Sequence, residues 1–229
     1  MGDREIAGLV ASVLAYGRVA QILKSAGRAL DVLGPRPADF LLGSTDRSLR
    51  DAFEGFKHRF TSGDDMAALL EGVRRVIARY GSLNACFASG IEPGVADLTG
   101  AMSRFVSEIE AGAPGCRGFT LPSTAAGSAC KRLNLYLRWM VRRDDVDPGG
   151  WTGVDPSLLL VPLDTHMHSA GLALGLTSRK QADLRTVLQI TAGFRRFAPG
   201  DPVRYDFCLT RLGIREGLSL GEFINGIEK

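Results

Sequence analysis

The chain lacks three things that would place it in well-defined classes. No apolar run among its 229 residues is long enough to span a membrane, and no secretory leader is visible, so the expectation is a cytoplasmic protein. Its four cysteines, Cys86, Cys116, Cys130 and Cys208, have no CxxC spacing, which argues against a cysteine-ligated iron–sulfur cluster and favours reduced thiols over a disulfide framework. No stretch alternates apolar and polar residues convincingly, so strands are not expected and the class reads as all-α. A net charge of +3 is only mildly basic, so a nucleic-acid reading must rest on where the charge sits.

Apolar residues make up 45% of the chain, ample for one large domain or for two lobes sharing a cleft. Helical spacing begins almost at once: Asp3 can cap a helix whose face is Ile6, Leu9, Val10, Val13 and Leu14. A second series, Val19, Ile22, Leu23 and Leu30, follows Gly17 and is stopped by Gly34-Pro35 and Pro37. So abrupt a start suggests that a piece is missing before it, or that Met1-Gly2 is a cloning scar. Thr61 to Asp65 reads as a loop and cap for a helix carrying Met66, Leu69, Leu70, Val73, Val76 and Ile77. Ala96 to Ile109 repeats the pattern up to Gly112-Ala113-Pro114-Gly115, and Gln181 to Phe197 forms another amphipathic helix before Pro199-Gly200-Asp201-Pro202 turns into a last long one.

The informative stretch is Leu121 to His168. A glycine-bearing turn, Leu121-Pro122-Ser123-Thr124-Ala125-Ala126-Gly127-Ser128, leads into a helix with an apolar stripe at Ala129, Leu133, Tyr136, Leu137 and Met140. Lys131, Asn134, Arg138 and Arg142 follow i, i+3, i+7, i+11 along another face. Lys131 to Arg143 holds five basic residues and no acid, with Arg132 and Arg143 completing the set. Such a face suits backbone phosphates, and the turn's amides at the helix start suit another; a merely solvated face is the plainer alternative. Lys131 differs from the arginines by its place at the helix start, where the macrodipole disfavours added positive charge. A neutral lysine can form a Schiff base with a sugar carbon, which arginine cannot. A surface lysine that holds a phosphate is the alternative.

Asp164 precedes the helical run Met167, Ala170, Leu172, Ala173 and Leu174, and its simplest role is the N-cap. Capping is compatible with catalysis, because a carboxylate beside a sugar stabilises the oxocarbenium-like state formed as a base departs. The insert Asp144-Asp145-Val146-Asp147-Pro148-Gly149-Gly150-Trp151 lacks the ligand spacing of an EF-hand and reads as an acidic turn anchored by Trp151. His166 and His168 form an HxH pair that admits a metal-dependent hydrolase, but only His58 remains as a further histidine, so packing or DNA-facing roles are expected and no metal or cofactor is.

These residues resemble the helix-hairpin-helix DNA glycosylase superfamily, whose signature closes on proline, an apolar residue, aspartate, any residue and histidine, as in Pro162-Leu163-Asp164-Thr165-His166. Gly127 to Asn134, Leu137 to Arg142, Asp3 to Ala20 and Asp201 to Phe207 are similar to a bacterial branch of that superfamily. The resemblance implies one domain over 1–229, two helical lobes with the hairpin and a cleft, and a monomer acting on duplex DNA near the nucleoid. It implies Lys131 as the nucleophile of a combined glycosylase and abasic-site lyase, with Asp164 as its aspartate. Their 33-residue separation is similar to that of the archaeal 8-oxoguanine glycosylases, which makes 8-oxoguanine the favoured base. Gly127, Ser128, Arg132, Arg138, Arg142 and His166 are then expected on DNA, and Asp206, flanked by Tyr205 and Phe207, against the flipped base. The usual Leu-Pro-Gly-apolar-Gly hairpin is here Leu121 to Gly127. A non-catalytic DNA-binding protein of the same fold is the alternative.

Overall fold

A computed structural model describes residues 2–111, 113 and 120–212. Among them the protein is all-α apart from one minimal hairpin. The helices are α1 (Gly2–Val13), α2 (Val19–Leu33), α3 (Pro37–Gly43), α4 (Asp46–Ala52), α5 (Gly63–Tyr80), α6 (Leu83–Ala88), α7 (Thr99–Ala111), α8 (Lys131–Val141), α9 (Thr165–Ala173), α10 (Leu184–Arg195) and α11 (Asp206–Leu212). Between α4 and α5 lie β1 (Lys57–His58) and β2 (Thr61–Ser62), antiparallel with His58 opposite Thr61. Two residues a strand are too few for alternation to register in sequence. Cys116 and the stop at Pro114-Gly115 lie outside the described residues, as does whatever follows Leu212. No helix among those described is long and apolar enough to cross a membrane.

Local chemistry sets the helix ends. Ser62 and Asp65 form a reciprocal capping box at the start of α5, the Ser62 amide donating to Asp65 Oδ2 at 2.8 Å and the Asp65 amide to Ser62 Oγ at 3.2 Å. Gly81 closes the same helix in the left-handed region, and Gly34 ends α2 with φ of 70°. Asp3 does not cap α1. It lies inside that helix, and its Oδ1 accepts from the Ala38 amide at 2.8 Å, so it serves the start of α3 instead.

The buried apolar side chains form one continuous cluster from Ile6 to Leu209. The predicted α1 face is its spine: Ile6, Leu9, Val10, Val13 and Leu14 are all buried, and α1 packs along α8. The second series differs from expectation. Val19 and Leu23 are exposed, and α2 turns Ser25, Ala29 and Leu33 inward instead, with Leu30 half-buried against the core. α5 and α7 approach so closely at Gly72 that a Cβ there would stand 2.3 Å from the Ile109 carbonyl oxygen.

Candidate functional site

The turn ahead of α8 is tied down from two sides. Thr124 Oγ1 donates to the Thr99 carbonyl of α7 at 2.7 Å, and the Gly127 carbonyl accepts from the Leu184 amide at the start of α10 at 3.0 Å. Gly127 adopts the left-handed conformation that ends a short 3-10 turn, and Ser128 bridges to Asp183. Cys130 is left-handed too, with φ of 44°, a costly conformation for a residue with a side chain. Its amide reaches Ser128 Oγ at 3.2 Å and its thiol donates to the Pro122 carbonyl at 3.1 Å. This bend makes Lys131 the first residue of α8. Lys131 is half-buried, and its Nζ donates to the Ala15 carbonyl at 3.1 Å.

Asp164 is the N-cap of α9, its Oδ1 accepting from the Met167 amide at 2.9 Å, as its place before the helix implied. Lys131 and Asp164 line one pocket of about 250 Å³, together with Arg138, Trp139, Asp206 and Phe207. Asp206 is 4% exposed. Its Oδ2 accepts from Arg138 Nη1, while its Oδ1 is buried with no hydrogen-bond partner among the described residues. Burial pushes the Asp206 carboxyl up to about 6; the Arg138 guanidinium pulls against this, and the negative charges of Asp164 and Asp147 add to it. Two guanidinium groups stand over the Phe207 ring, Arg211 at 4.8 Å from its centroid and Arg138 at 5.9 Å.

Three of the residues expected on DNA, Arg132, Arg138 and Arg142, are instead buried. Arg138 is 3% exposed and Arg142 8%. Arg138 grips the fully buried Asp147 through Nε and Nη2, each about 3.0 Å away. Arg142 donates from Nε to Asp201 at 2.9 Å, from Nη2 to Asp144 at 2.8 Å and from Nη1 to Asp147. These pairs hold both guanidinium groups charged against the cost of burial, and the backbone amides of Asp147 and Val146, with Arg142 adding to them, hold Asp144 below the usual carboxylate range. Arg132 is buried as well, donating to the Val13 carbonyl at 2.8 Å with its guanidinium 5.1 Å from the Tyr16 ring. The stripe turns inward because the acidic insert supplies its counterions. A run of cations with no acid among them was the signal that Arg138 and Arg142 draw their partners, Asp144, Asp147 and Asp201, from elsewhere in the chain.

The remaining candidates scatter. Gly127 is exposed, and Ser128 and His166 are half-buried; none of them lines the Lys131 pocket. Tyr205 does not flank Asp206 in that pocket. One position earlier along the chain, it packs at 6.2 Å against Phe194 in a separate apolar groove. His168 donates from Nε2 to the Arg179 carbonyl at 2.8 Å, and buried His58 bonds to Ser25 Oγ and the Tyr16 carbonyl, so structural bonds occupy both. Among the described residues no three His, Cys, Asp or Glu side chains gather in a way that would hold a metal ion. Trp139, Thr210 and Arg211 line the pocket without having been singled out in sequence.

No curated protein and no solved structure gives a significant match to the chain. Residues 1–215 match the model of a family described as a protein of unknown function, DUF2400, and the chain belongs to that family.

Proposed function

We propose that the protein is a DNA glycosylase with associated abasic-site lyase activity, acting on duplex DNA that carries an oxidised purine, 8-oxoguanine in particular. The observation that carries this reading is that Lys131 and Asp164, set 33 positions apart in sequence, line one pocket with a buried carboxylate and two aromatic rings. On this reading the turn from Leu121 to Gly127 is the hairpin of a helix-hairpin-helix, and the pocket opens into a cleft between two helical lobes. A volume of about 250 Å³ lies below the roughly 300–1,000 Å³ of drug-sized sites, which suits a single base better than a whole nucleotide.

The chemistry follows from the groups present. The Lys131 amine, once it has given up a proton, attacks C1′ of the sugar and the new ammonium loses another; the glycosidic bond breaks, its electron pair leaving with the base, which takes up a proton. The Asp164 carboxylate stabilises the positive charge that develops on the sugar. The new Nζ–C1′ bond becomes an imine as the ring oxygen departs and is protonated. Loss of a C2′ proton then expels the 3′-phosphate and cuts the strand. Asp206 and Phe207 meet the base by hydrogen bonding and stacking. The protein works as a monomer, without cofactor, at the nucleoid.

Borohydride reduction of the imine tests this directly, on a duplex bearing one 8-oxoguanine and on one bearing an abasic site. The wild type gives a covalent adduct on both, and Lys131→Ala and Lys131→Gln give none. An adduct at the abasic site alone keeps the lyase and changes the base. No adduct on either duplex sinks the lyase reading in favour of a DNA-binding protein or of a glycosylase without lyase activity.

A further inference from the structure

Charge is spread unevenly along the chain. Residues 6–30 hold Arg18, Lys24 and Arg28 and no acid, and residues 55–63 hold Lys57 and Arg59 and no acid. Five positive charges against a net of +3 for the whole chain leave the remainder at −2. All five side chains are exposed, and none forms an ion pair among the described residues. In α4 and α5, by contrast, Arg47, Arg74, Arg75 and Arg79 are each paired with an acid.

The fold gathers the two segments into one patch. The His58 ring of β1 bonds to Ser25 Oγ of α2 at 2.9 Å and to the Tyr16 carbonyl at 3.1 Å, and Tyr16 Oη donates to the His58 carbonyl at 2.7 Å. The hairpin is thereby laid against α2 and the connection that precedes it. Arg59 folds back over that connection, so close to Gly17 that a Cβ there would stand 2.8 Å from Arg59 Nη1. Arg18 follows Gly17 directly, and Lys24 and Arg28, one turn apart on α2, carry the patch to the Phe56 ring, whose centroid lies 5.6 Å from the Arg28 guanidinium. The same connection borders the reacting amine, because Lys131 Nζ donates to the carbonyl of Ala15, three residues before Arg18.

We propose that this patch, and not α8, is the surface on which the sugar-phosphate backbone of duplex DNA lies. That the polyanion is DNA rests on the glycosylase reading; the patch and its border with Lys131 rest on the geometry. Exposed cations without carboxylate partners give up no ion pair when they meet a phosphate, whereas Arg138 and Arg142 would have to break theirs. Charge concentrated on one face of a chain that is otherwise slightly acidic is the electrostatic footprint of such a partner. A lipid surface also attracts basic helices, but Val19 and Leu23 are the only large apolar side chains exposed on α2, which gives a bilayer little area to bury.

Salt-dependent binding of an undamaged, fluorescein-labelled duplex, followed by anisotropy, counts the contacts. Arg18 and Lys57 are the pair to change, because neither side chain has a bonded partner among the described residues and the fold does not depend on them. Arg18→Gln and Lys57→Gln each lower the slope of log K against log salt by about 0.9 and weaken binding about 5- to 10-fold at roughly 0.1 M salt, and the double variant loses about twice that slope. Arg18→Lys/Lys57→Arg keeps the wild-type slope, because the contact needs the charge. Arg47→Gln/Arg79→Gln, which removes as much charge from cations already paired with Asp51 and Glu108, keeps it too.

A wild type that does not bind the duplex overturns the proposal, as does a wild-type slope in Arg18→Gln/Lys57→Gln. So does an equal fall in Arg47→Gln/Arg79→Gln, which would reduce the effect to net charge. Binding to vesicles of phosphatidylserine and phosphatidylcholine that needs Arg18 and Lys57, where binding of the duplex does not, puts a membrane in place of DNA. A protein that binds the duplex through Arg18 and Lys57 but gives no borohydride adduct keeps this surface and loses the lyase. An adduct from a protein whose salt dependence ignores both cations keeps the lyase and loses the surface.

Discussion

Asp164 holds two positions at once, as N-cap of α9 and as a wall of the Lys131 pocket, and substitution separates them. Asparagine caps a helix about as well as aspartate, so Asp164→Asn retains the bond from the Met167 amide and loses only the charge. Alanine loses both. The cap contributes about 1 kcal/mol, which for a chain of this size corresponds to a fall of about 2–4 °C in Tm. Asp164→Ala is therefore expected to melt about 2–4 °C below the wild type and Asp164→Asn within about 1 °C of it. Base excision tells a different story, because a preorganised charge facing the developing cation is worth roughly 10²- to 10³-fold in rate. Both variants are expected to lose that much in single-turnover excision from an 8-oxoguanine duplex, measured well below either melting point. The Asp164 charge also helps to hold the Asp206 carboxyl up, so in Asp164→Asn the acidic limb of nucleoside binding moves to lower pH than the wild-type value of about 6. An Asp164→Asn protein of wild-type rate beside an Asp164→Ala protein that is merely unstable would show that this residue caps a helix and does nothing else.

Other consequences follow from the same network. The folded state holds a proton on Asp206 up to about pH 6, whereas an unfolded aspartate releases it near 3.8, so wild-type stability falls as pH rises between those values, by on the order of 3 kcal/mol. Urea titrations across pH 4–7 are expected to show that slope in the wild type and not in Asp206→Asn. Arg142→Ala strips one guanidinium from Asp147 and leaves Asp201 without its partner, so it is expected to cost about 3 kcal/mol or more in urea unfolding. In an Arg142→Gln protein, assayed well below its melting point, the salt dependence of DNA binding stays at the wild-type slope; a slope lower by about one unit would mean that Arg142 meets a phosphate after all. Gly72→Ala places a methyl 2.3 Å from the Ile109 carbonyl oxygen, and forcing α5 from α7 is expected to cost about 1–3 kcal/mol in thermal or urea unfolding.

What could be read from the sequence was local. The α1 face, the Ser62–Asp65 cap, the Gly34 stop and the N-cap at Asp164 each depend on residues within a turn or two of one another, and the structure holds all four. Periodicity failed where it had to choose between inside and outside. The stripe Lys131, Asn134, Arg138 and Arg142 has the spacing of a solvated face, and nothing within the helix reveals that three of its four members are buried. That answer lay in long-range charge balance, since Asp201 is 59 residues from the arginine it pairs with and Asp206 is 68 from Arg138. The same reversal decides how DNA must be met on the proposed reading. Arginines engaged by buried aspartates cannot also neutralise phosphates without breaking pairs whose loss would unfold the helix that carries Lys131. They act instead as the frame that fixes the pocket wall, and sequence-independent affinity has to come from cations elsewhere on the surface, leaving α8 to hold the reacting amine in place.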